Sequence, residues 1–513
     1  MNTMATRSNS ETRAGSGPAA APLGGGGNGS APVRLALITP DGAGLRNFVE
    51  GSFLQTFAGE TLVIHPFKQG LPPEVTGLFQ ERVEWQWMGP NEDRPFQITV
   101  RQALSYAHVY WGNTIAMQYT RERKPSGSWK MKLAARAARV VGRAAGQSGA
   151  ALLGLERYYF NLVARQHASV ERYRQMFKRF RPDVLMSTSQ QSPVCLPAVM
   201  AARSLGIPTI CFVSSWDNLT SKGRIAAPYD RYLVWSEHMR GEMRQFYAHI
   251  DAARINVVGT PQFDFYGDES IRMTREEFFR MVGADPARKL ICYSGGDDGT
   301  SPEDHLHVRV LMEHVRSGRI RGNPQVLVRP SPVDPGERYA SVRRDFPEMI
   351  YCQPKWLAPQ KDLWTQYIPL PEDARFLANL VRHADLNLNV ASTMALDFGL
   401  HDRPVINIGF DLASPPPLRV PMGDLFYTWD HYKPVVELGA SHLARSADEE
   451  ARLANEFLDN PALGREGRKK LADMQVGAPL GASAALICQV IDDVVAADRK
   501  EKKGGAGAGA SAR

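Results

Sequence analysis

The sequence predicts an α/β protein made of two doubly wound halves that face each other across a cleft. Three observations carry this expectation. Short apolar runs recur along the chain in two successive series, with helical segments between them. Strands separated by helices imply parallel sheets, because a parallel return needs a crossover connection. A chain of 513 residues is also too long for one ordinary core.

The elements follow in order. Val33-Arg34-Leu35-Ala36-Leu37-Ile38 reads as the first strand, running into the Gly-bearing turn Thr39-Pro40-Asp41-Gly42-Ala43-Gly44 and a helix from Leu45. Strand, glycine turn and helix make a nucleotide-fold opening, although GxG alone is a weak dinucleotide signal. Thr61–Ile64 and Val83–Trp87 are short apolar runs, and residues 100–180 are mostly helical. Asp183–Ser187, the helix Pro197–Leu205 ended by Gly206, and Ile207–Val213 form a βαβ unit. Arg231–Trp235 and Arg254–Val258 are two further strands. Gly259-Thr260-Pro261-Gln262-Phe263-Asp264 then leads into a linker placed at about residues 265–285. The second series is Lys289–Tyr293, Gln325–Arg329, Met349–Cys352, the strand from Asp385 and the strand from Pro404, with helices at Asp304–Arg316 and Ala374–Ala384. Ligands of such sheets sit at the carboxyl ends of the strands, so the cleft between the halves is the expected site.

Composition sets further bounds. Hydrophobic residues make up 43% and charged residues 22% of the chain, as in ordinary globular proteins. Residues 1–31 are Gly, Ala, Ser and Pro with almost no large apolar side chains, so they are expected to be a disordered tail. They lack the apolar stretch of a secretory signal, and export by that route is not expected. A C-terminal helix is expected at 481–499, with a second disordered tail over 500–513. The cysteines at 195, 211, 292, 352 and 488 show no metal-binding spacing and read as buried free thiols of a reducing compartment. No stretch approaches the roughly 18 apolar residues that would cross a bilayer.

The net charge of +7 is unevenly spread. From Arg121 to Phe180 there are 14 Lys or Arg against 3 Glu and no Asp, in a basic helical insertion at about 120–180. Within it Leu133, Ala137, Val140 and Val141 recur at helical spacing beside Lys130, Lys132, Arg136, Arg139 and Arg143, headed by Trp129. Such a helix suits an anionic membrane surface or a solvated connecting arm. No nucleic-acid motif accompanies it, so nucleic acid is not an expected partner.

The most informative stretch is Asp385–Asp411, DLNLNVASTMALDFGLHDRPVINIGFD. Leu386, Leu388 and Val390 alternate as a strand, Ala391-Ser392-Thr393 breaks it, Met394–Leu400 gives two helical turns, and Pro404–Ile408 is the next buried strand. Hydroxyls at a helix start, after a parallel strand, suit an anion. Asp397 follows Thr393 by four residues and lies on the same helix face, one turn deeper, where it suits a sugar hydroxyl. An N-capped core helix with an exposed Asp fits the same residues.

This segment resembles the donor-binding element of the GT-B glycosyltransferases. Ser392 and Thr393 match its hydroxyl pair, Arg403-Pro404-Val405-Ile406 its closing turn and strand, and Asp397 stands where the family usually has Glu. Variants that it is similar to are the bacterial CDP-glycerol glycerophosphotransferases and the non-hydrolysing UDP-N-acetylglucosamine 2-epimerases. The resemblance implies two Rossmann-like domains: residues 32–265 for the acceptor and 285–480 for the nucleotide of the donor. It implies a cytoplasmic glycosyltransferase using a nucleotide-activated sugar on a glycan or glycolipid acceptor, in bacterial surface polysaccharide or glycolipid assembly, possessing neither cofactor nor metal. Peripheral attachment to the inner face of the plasma membrane would suit the basic helix. A nucleotide-sugar 2-epimerase and a non-catalytic GT-B-shaped scaffold are the alternatives.

Other loops supply the remaining candidates. Gly295 and Gly296 follow a buried strand and permit close approach of a phosphate or sugar, or form a plain turn; Asp297 and Asp298 would repel a phosphate and are expected to point away or cap a helix. Arg329 ends another strand where the related families carry His, and it suits a diphosphate or a salt bridge. A fixed cation cannot shuttle a proton, which weighs against the epimerase. Trp216 and Asn218 suit acceptor binding, Trp216 by stacking on a pyranose or else as a packed aromatic. Asp217 is the first candidate for general base, with Asp41 competing. His431, in the polar loop Trp429–Pro434, suits a donor phosphate or sugar, or is merely solvated.

Overall fold

The computed structural model describes residues 32–79, 81–122, 125, 127–358, 366–418 and 420–510. The expected tail at 1–31 and the last residues of the expected tail at 500–513 lie outside these.

The first half is a seven-stranded parallel sheet. Its strands are β1 (Arg34–Ile38), β2 (Glu60–His65), β3 (Val83–Trp87), β4 (Val184–Ser187), β5 (Thr209–Phe212), β6 (Arg231–Val234) and β7 (Ile255–Val257), in the order β3-β2-β1-β4-β5-β6-β7. The second half holds a six-stranded sheet of β8 (Leu290–Ser294), β9 (Gln325–Arg329), β10 (Ile350–Tyr351), β13 (Leu386–Asn389), β14 (Val405–Ile408) and β15 (His442–Ala444). Its order, β10-β9-β8-β13-β14-β15, repeats the same doubly wound pattern, and its pairings are likewise parallel. Both sheets reverse direction once, between β1 and β4 and between β8 and β13, and that reversal is where such folds open a crevice. The two halves expected from the sequence are therefore present as two Rossmann-like sheets.

The strand centres are apolar on both faces, as a sheet covered by helices requires. Leu35, Ala36 and Leu37 of β1, and Leu290, Ile291, Cys292 and Tyr293 of β8, are fully buried. One short element escaped the sequence reading: an antiparallel pair, β11 (Trp356–Leu357) and β12 (Ile368–Pro369), projecting from the second half.

The final helix runs Ser483–Ala510, past the expected end at 499 and into the expected tail. Asp498 and Lys502, one turn apart, pair at 2.7 Å and support the extension, and Lys502 also donates to the Gly206 carbonyl of the first half. Arg499 pairs with Asp183 at 3.1 Å. The helix thus returns to the half where the chain began. Its start is held by Asp264, the last residue of the G-x-P-x-x-D run. The Asp264 carboxylate accepts from the N–H groups of Gly481, Ser483 and Ala484 at 3.0–3.3 Å and from the Ser52 hydroxyl at 2.8 Å. Gly259 of the same run has φ +73, and a β-carbon there would come 2.6 Å from Ala478 and Ser483. Only glycine suits that position.

Candidate functional site

A cleft of about 650 Å³ opens between the two sheets. The second half lines it with Ser294–Gly296, Arg329, Asp373, Ser392, Thr393 and Asp397. The first half brings Arg46, Trp216, Asp217, Lys222 and Gln262, and the 429–432 loop adds Trp429, His431 and Tyr432. Of the residues singled out from the sequence, Ser392, Thr393, Asp397, Arg329, Gly295, Gly296, His431, Trp216 and Asp217 meet here, whereas Asp41 and Asn218 do not line it.

The floor is built at the sheet reversal between β8 and β13. Asn387, Asn389 and Asn407 are fully buried on two neighbouring strands. Asn387 donates to Ser294 Oγ at 2.8 Å, Asn389 to Asn387 at 2.7 Å, and Asn407 to Asn389 at 2.9 Å. Buried amides are tolerated because each finds a partner. The ladder also fixes the turn above it. The Ser392 N–H donates to Asn389 Oδ1 at 3.0 Å, and Ala391 N–H donates to the Tyr427 hydroxyl. Ala391 has φ +40, a left-handed conformation that costs a residue with a β-carbon and that the surrounding bonds must hold.

That geometry sharpens the anion reading. Ser392 Oγ accepts from Met394 N–H at 3.3 Å, so this hydroxyl is spent on the first N–H of the helix Met394–Leu400. Thr393 is the donor left facing the cleft: neither its N–H nor its hydroxyl has a protein partner among the described residues. Seven residues make a weak macrodipole, so charge there must be met by these groups and nearby cations. The glycine loop differs from expectation. Gly295 N–H donates to the Arg329 carbonyl at 2.9 Å and Gly296 N–H to Asp304 at 2.6 Å, so both are spent within the protein. Asp297 caps the turn, accepting from Thr300 N–H at 3.0 Å.

Arg329 is buried at the cleft wall rather than free in it. Its Nη2 lies 2.8 and 3.0 Å from the two Asp373 oxygens. Asp373 also accepts from Lys355 N–H at 3.0 Å and the Trp356 indole at 2.8 Å, which pins β11. Burial pushes the Asp373 carboxyl up, but Arg329 and these donors outweigh it and hold it low. Two further cations line the cleft, both missed by the sequence reading: Arg46, which opens the helical segment Arg46–Glu50, and Lys222, paired with Asp217 at 3.6 Å. For Arg46 the signal was its place just after the glycine turn at the end of β1.

Asp397 is buried and contributes to the junction of the halves. Tyr266, on the exit from the first half, donates its hydroxyl to Asp397 Oδ1. Burial raises the carboxyl to about 6, against the opposing pull of Tyr266 and Arg46.

Several acceptor-side expectations are corrected. Trp216 is 3% exposed, packed edge-on against His431 at 5.3 Å and near Tyr432 at 5.7 Å, so no open indole face is presented. Asn218 is buried and held by Ser214 Oγ at 2.9 Å. Asp41 accepts from Gly44 N–H at 2.8 Å and caps the turn after β1. Asp217 keeps its place but loses basicity. Burial raises its carboxyl, yet Lys222 at 3.6 Å, His431 and the Ser215 and Ser221 hydroxyls at 2.6 and 2.7 Å together hold it below the usual carboxylate range. His431 is buried, not solvated. Burial holds its pKa below the usual imidazole value, while Asp217 pulls it back up. A buried imidazole of this kind can take a proton from a neighbouring hydroxyl. Among the described residues no group of three or more His, Cys, Asp or Glu side chains is gathered to hold a metal ion, and no helix is long and apolar enough to cross a membrane.

No family model matches this sequence, and no curated protein does. Solved structures do resemble the fold. A Listeria monocytogenes protein described as a candidate UDP-N-acetylglucosamine 2-epimerase superposes with a TM-score of 0.51 at 11% identity, over 91% of this chain and 98% of that one. A UDP-N-acetylglucosamine 2-epimerase from Rickettsia bellii gives 0.48 at 11% identity, over 91% and 97% of the two chains. MurG from Acinetobacter baumannii gives 0.44 at 11% identity, over 90% and 100%. With its two facing Rossmann-like sheets and the cleft between them, the chain has the GT-B fold.

Proposed function

We propose that this protein is a glycosyltransferase that takes a sugar from a nucleotide-activated donor. One observation carries the reading. Two groups line one cleft: Thr393 and Asp397 on one short helix with Arg46 acting on Asp397, and Asp217 with its neighbours Lys222 and His431. The first set suits a nucleotide diphosphate: donors and a cation for the phosphates, and a carboxylate for a sugar hydroxyl. The second suits an acceptor hydroxyl, with neutral His431 taking its proton and Asp217 stabilising the imidazolium that forms. Lys222 would offset charge on the departing diphosphate. The acceptor would be a glycan or glycolipid.

A nucleotide-sugar 2-epimerase is the second reading. It is favoured by the two titratable groups, Asp397 and His431, that share the cleft, and by the epimerase described for the Listeria structure.

Isothermal titration with UDP, GDP, CDP and CMP tests the shared premise. Binding of at least one is expected, and binding of none would leave a GT-B-shaped scaffold. The matching nucleotide sugar then separates the readings. A transferase releases nucleotide diphosphate only with an acceptor, whereas an epimerase interconverts 2-epimers without one.

A further inference from the structure

The helix Trp129–Ala145 presents three faces. Its inner face is small. Ala138 and Gly142 are buried against the helix Pro95–Gly112, and a β-carbon at Gly142 would come 2.6 Å from the Ala103 carbonyl oxygen. Close packing through small residues leaves the large side chains to the outside. At 100° per residue, Trp129, Leu133 and Val140 fall on one outer stripe, with Val141 about 80° further round, past Lys130. They are 70%, 58%, 70% and 50% exposed. Lys132, Arg136 and Arg143 form the adjoining stripe, all exposed, and Lys130 borders the apolar stripe on its other side. Arg139 is turned in toward Tyr106. No Asp or Glu occurs from residue 123 to 155.

A solvated arm would not carry three large apolar side chains on one exposed strip with a fourth on its flank. We propose that this face docks on an anionic lipid bilayer. The helix lies along the interface, with Trp129, Leu133, Val140 and Val141 among the acyl chains and Lys130, Lys132, Arg136 and Arg143 at the headgroups. Charge selects this occupant. A second copy of the same face would set cations against cations. A nucleic acid would meet the basic stripe and leave the apolar one uncovered. The run of chain just before it, Ile115–Glu122, lines the cleft with Ala116, Tyr119 and Thr120. Docking therefore ties the cleft to the membrane through one short piece of chain. It does not depend on the chemistry proposed above, because vesicle binding needs no nucleotide.

Co-sedimentation of the full chain with vesicles tests the proposal, using phosphatidylcholine alone and equal parts phosphatidylcholine and phosphatidylglycerol. Binding to the anionic vesicles is expected, falling as salt rises. Lys132→Glu with Arg136→Glu should weaken it by more than about tenfold, since each cation near such a surface is worth roughly fivefold. Leu133→Glu with Val140→Glu should abolish it at any salt, and both variants change only exposed positions. Equal partition onto both vesicle types would overturn the proposal. So would anionic binding that survives the Leu133/Val140 change, which would mean a surface-charge contact only. Self-association lost in that variant, in a protein that ignores vesicles, would assign the face to a second copy instead.

Discussion

Tyr266 donates its hydroxyl to Asp397 across the junction of the two halves, so one hydrogen bond joins the exit of the first sheet to the helix after β13. The acceptor is a carboxyl that burial has raised to about 6. A carboxyl whose folded pKa exceeds its unfolded value favours the folded state at low pH. Its contribution is fully present below about 3.8 and is lost as pH rises through about 6. Asp397→Asn keeps an acceptor for Tyr266 and removes the cost of the buried charge. Denaturant melts are expected to show the variant about 1–3 kcal/mol more stable at pH 8 and nearly equal to wild type at pH 4. Nucleotide affinity should fall at pH 8, where wild-type Asp397 is ionised.

The hydroxyl pair should separate into two roles. Thr393→Ala is expected to weaken nucleotide binding by roughly 1–3 kcal/mol with little change in melting. Ser392→Ala should lose about 1 kcal/mol of stability through the lost bond to Met394 N–H. Calorimetric titration and thermal melts on each single variant check this, and equal loss of affinity in both would contradict the division.

Arg329→Ala leaves Asp373 buried without its partner. Stability is expected to drop by about 3–5 kcal/mol, the range for an orphaned buried charge. Because Asp373 is held low in the folded state, the wild-type pair stabilises above the unfolded carboxyl pKa and fades as pH falls through the folded one. The deficit of the variant should therefore shrink in acid. A variant that loses nucleotide affinity but melts like wild type would make Arg329 a ligand rather than a pin.

Asp217 draws the His431 pKa upward, so Asp217→Asn should let it fall further. If His431 takes the acceptor proton, the acid limb of the pH–rate profile moves to lower pH, and the maximal rate drops because the imidazolium loses its counter-charge. His431→Asn should remove the limb. A profile unmoved by both changes would exclude this pair from proton transfer.

Much of the architecture was legible because it depends on local pattern. Apolar runs such as Leu290–Tyr293 and Val405–Ile408 can only be covered strands, and their spacing sets the crossovers. The β11–β12 pair was not legible, since two-residue strands have no periodicity. The asparagine ladder was readable in principle: DLNLNV alternates Leu with Asn on a strand buried on both faces, which demands polar partners. Loop roles were the hardest. Trp216 and Asp41 lie in the loops after β5 and β1, where the sequence puts them, but whether a loop residue faces a ligand or its own backbone is decided by its neighbours, and these can be far away in sequence, as His431 is from Trp216.

The chain crosses between the halves twice, and the crossings lie together. Asp264 holds the start of the final helix, Gly259 packs on Ala478 and Ser483, and Gly267 sits against Leu480. The two crossings therefore lie side by side, and one apolar core runs through the junction, taking in Ile487 and Ile491 of the final helix with Leu380 and Phe398 of the second half. The second crossing is thus part of the protein's interior rather than a tether, and a break near Gly481 would cost stability as well as connection.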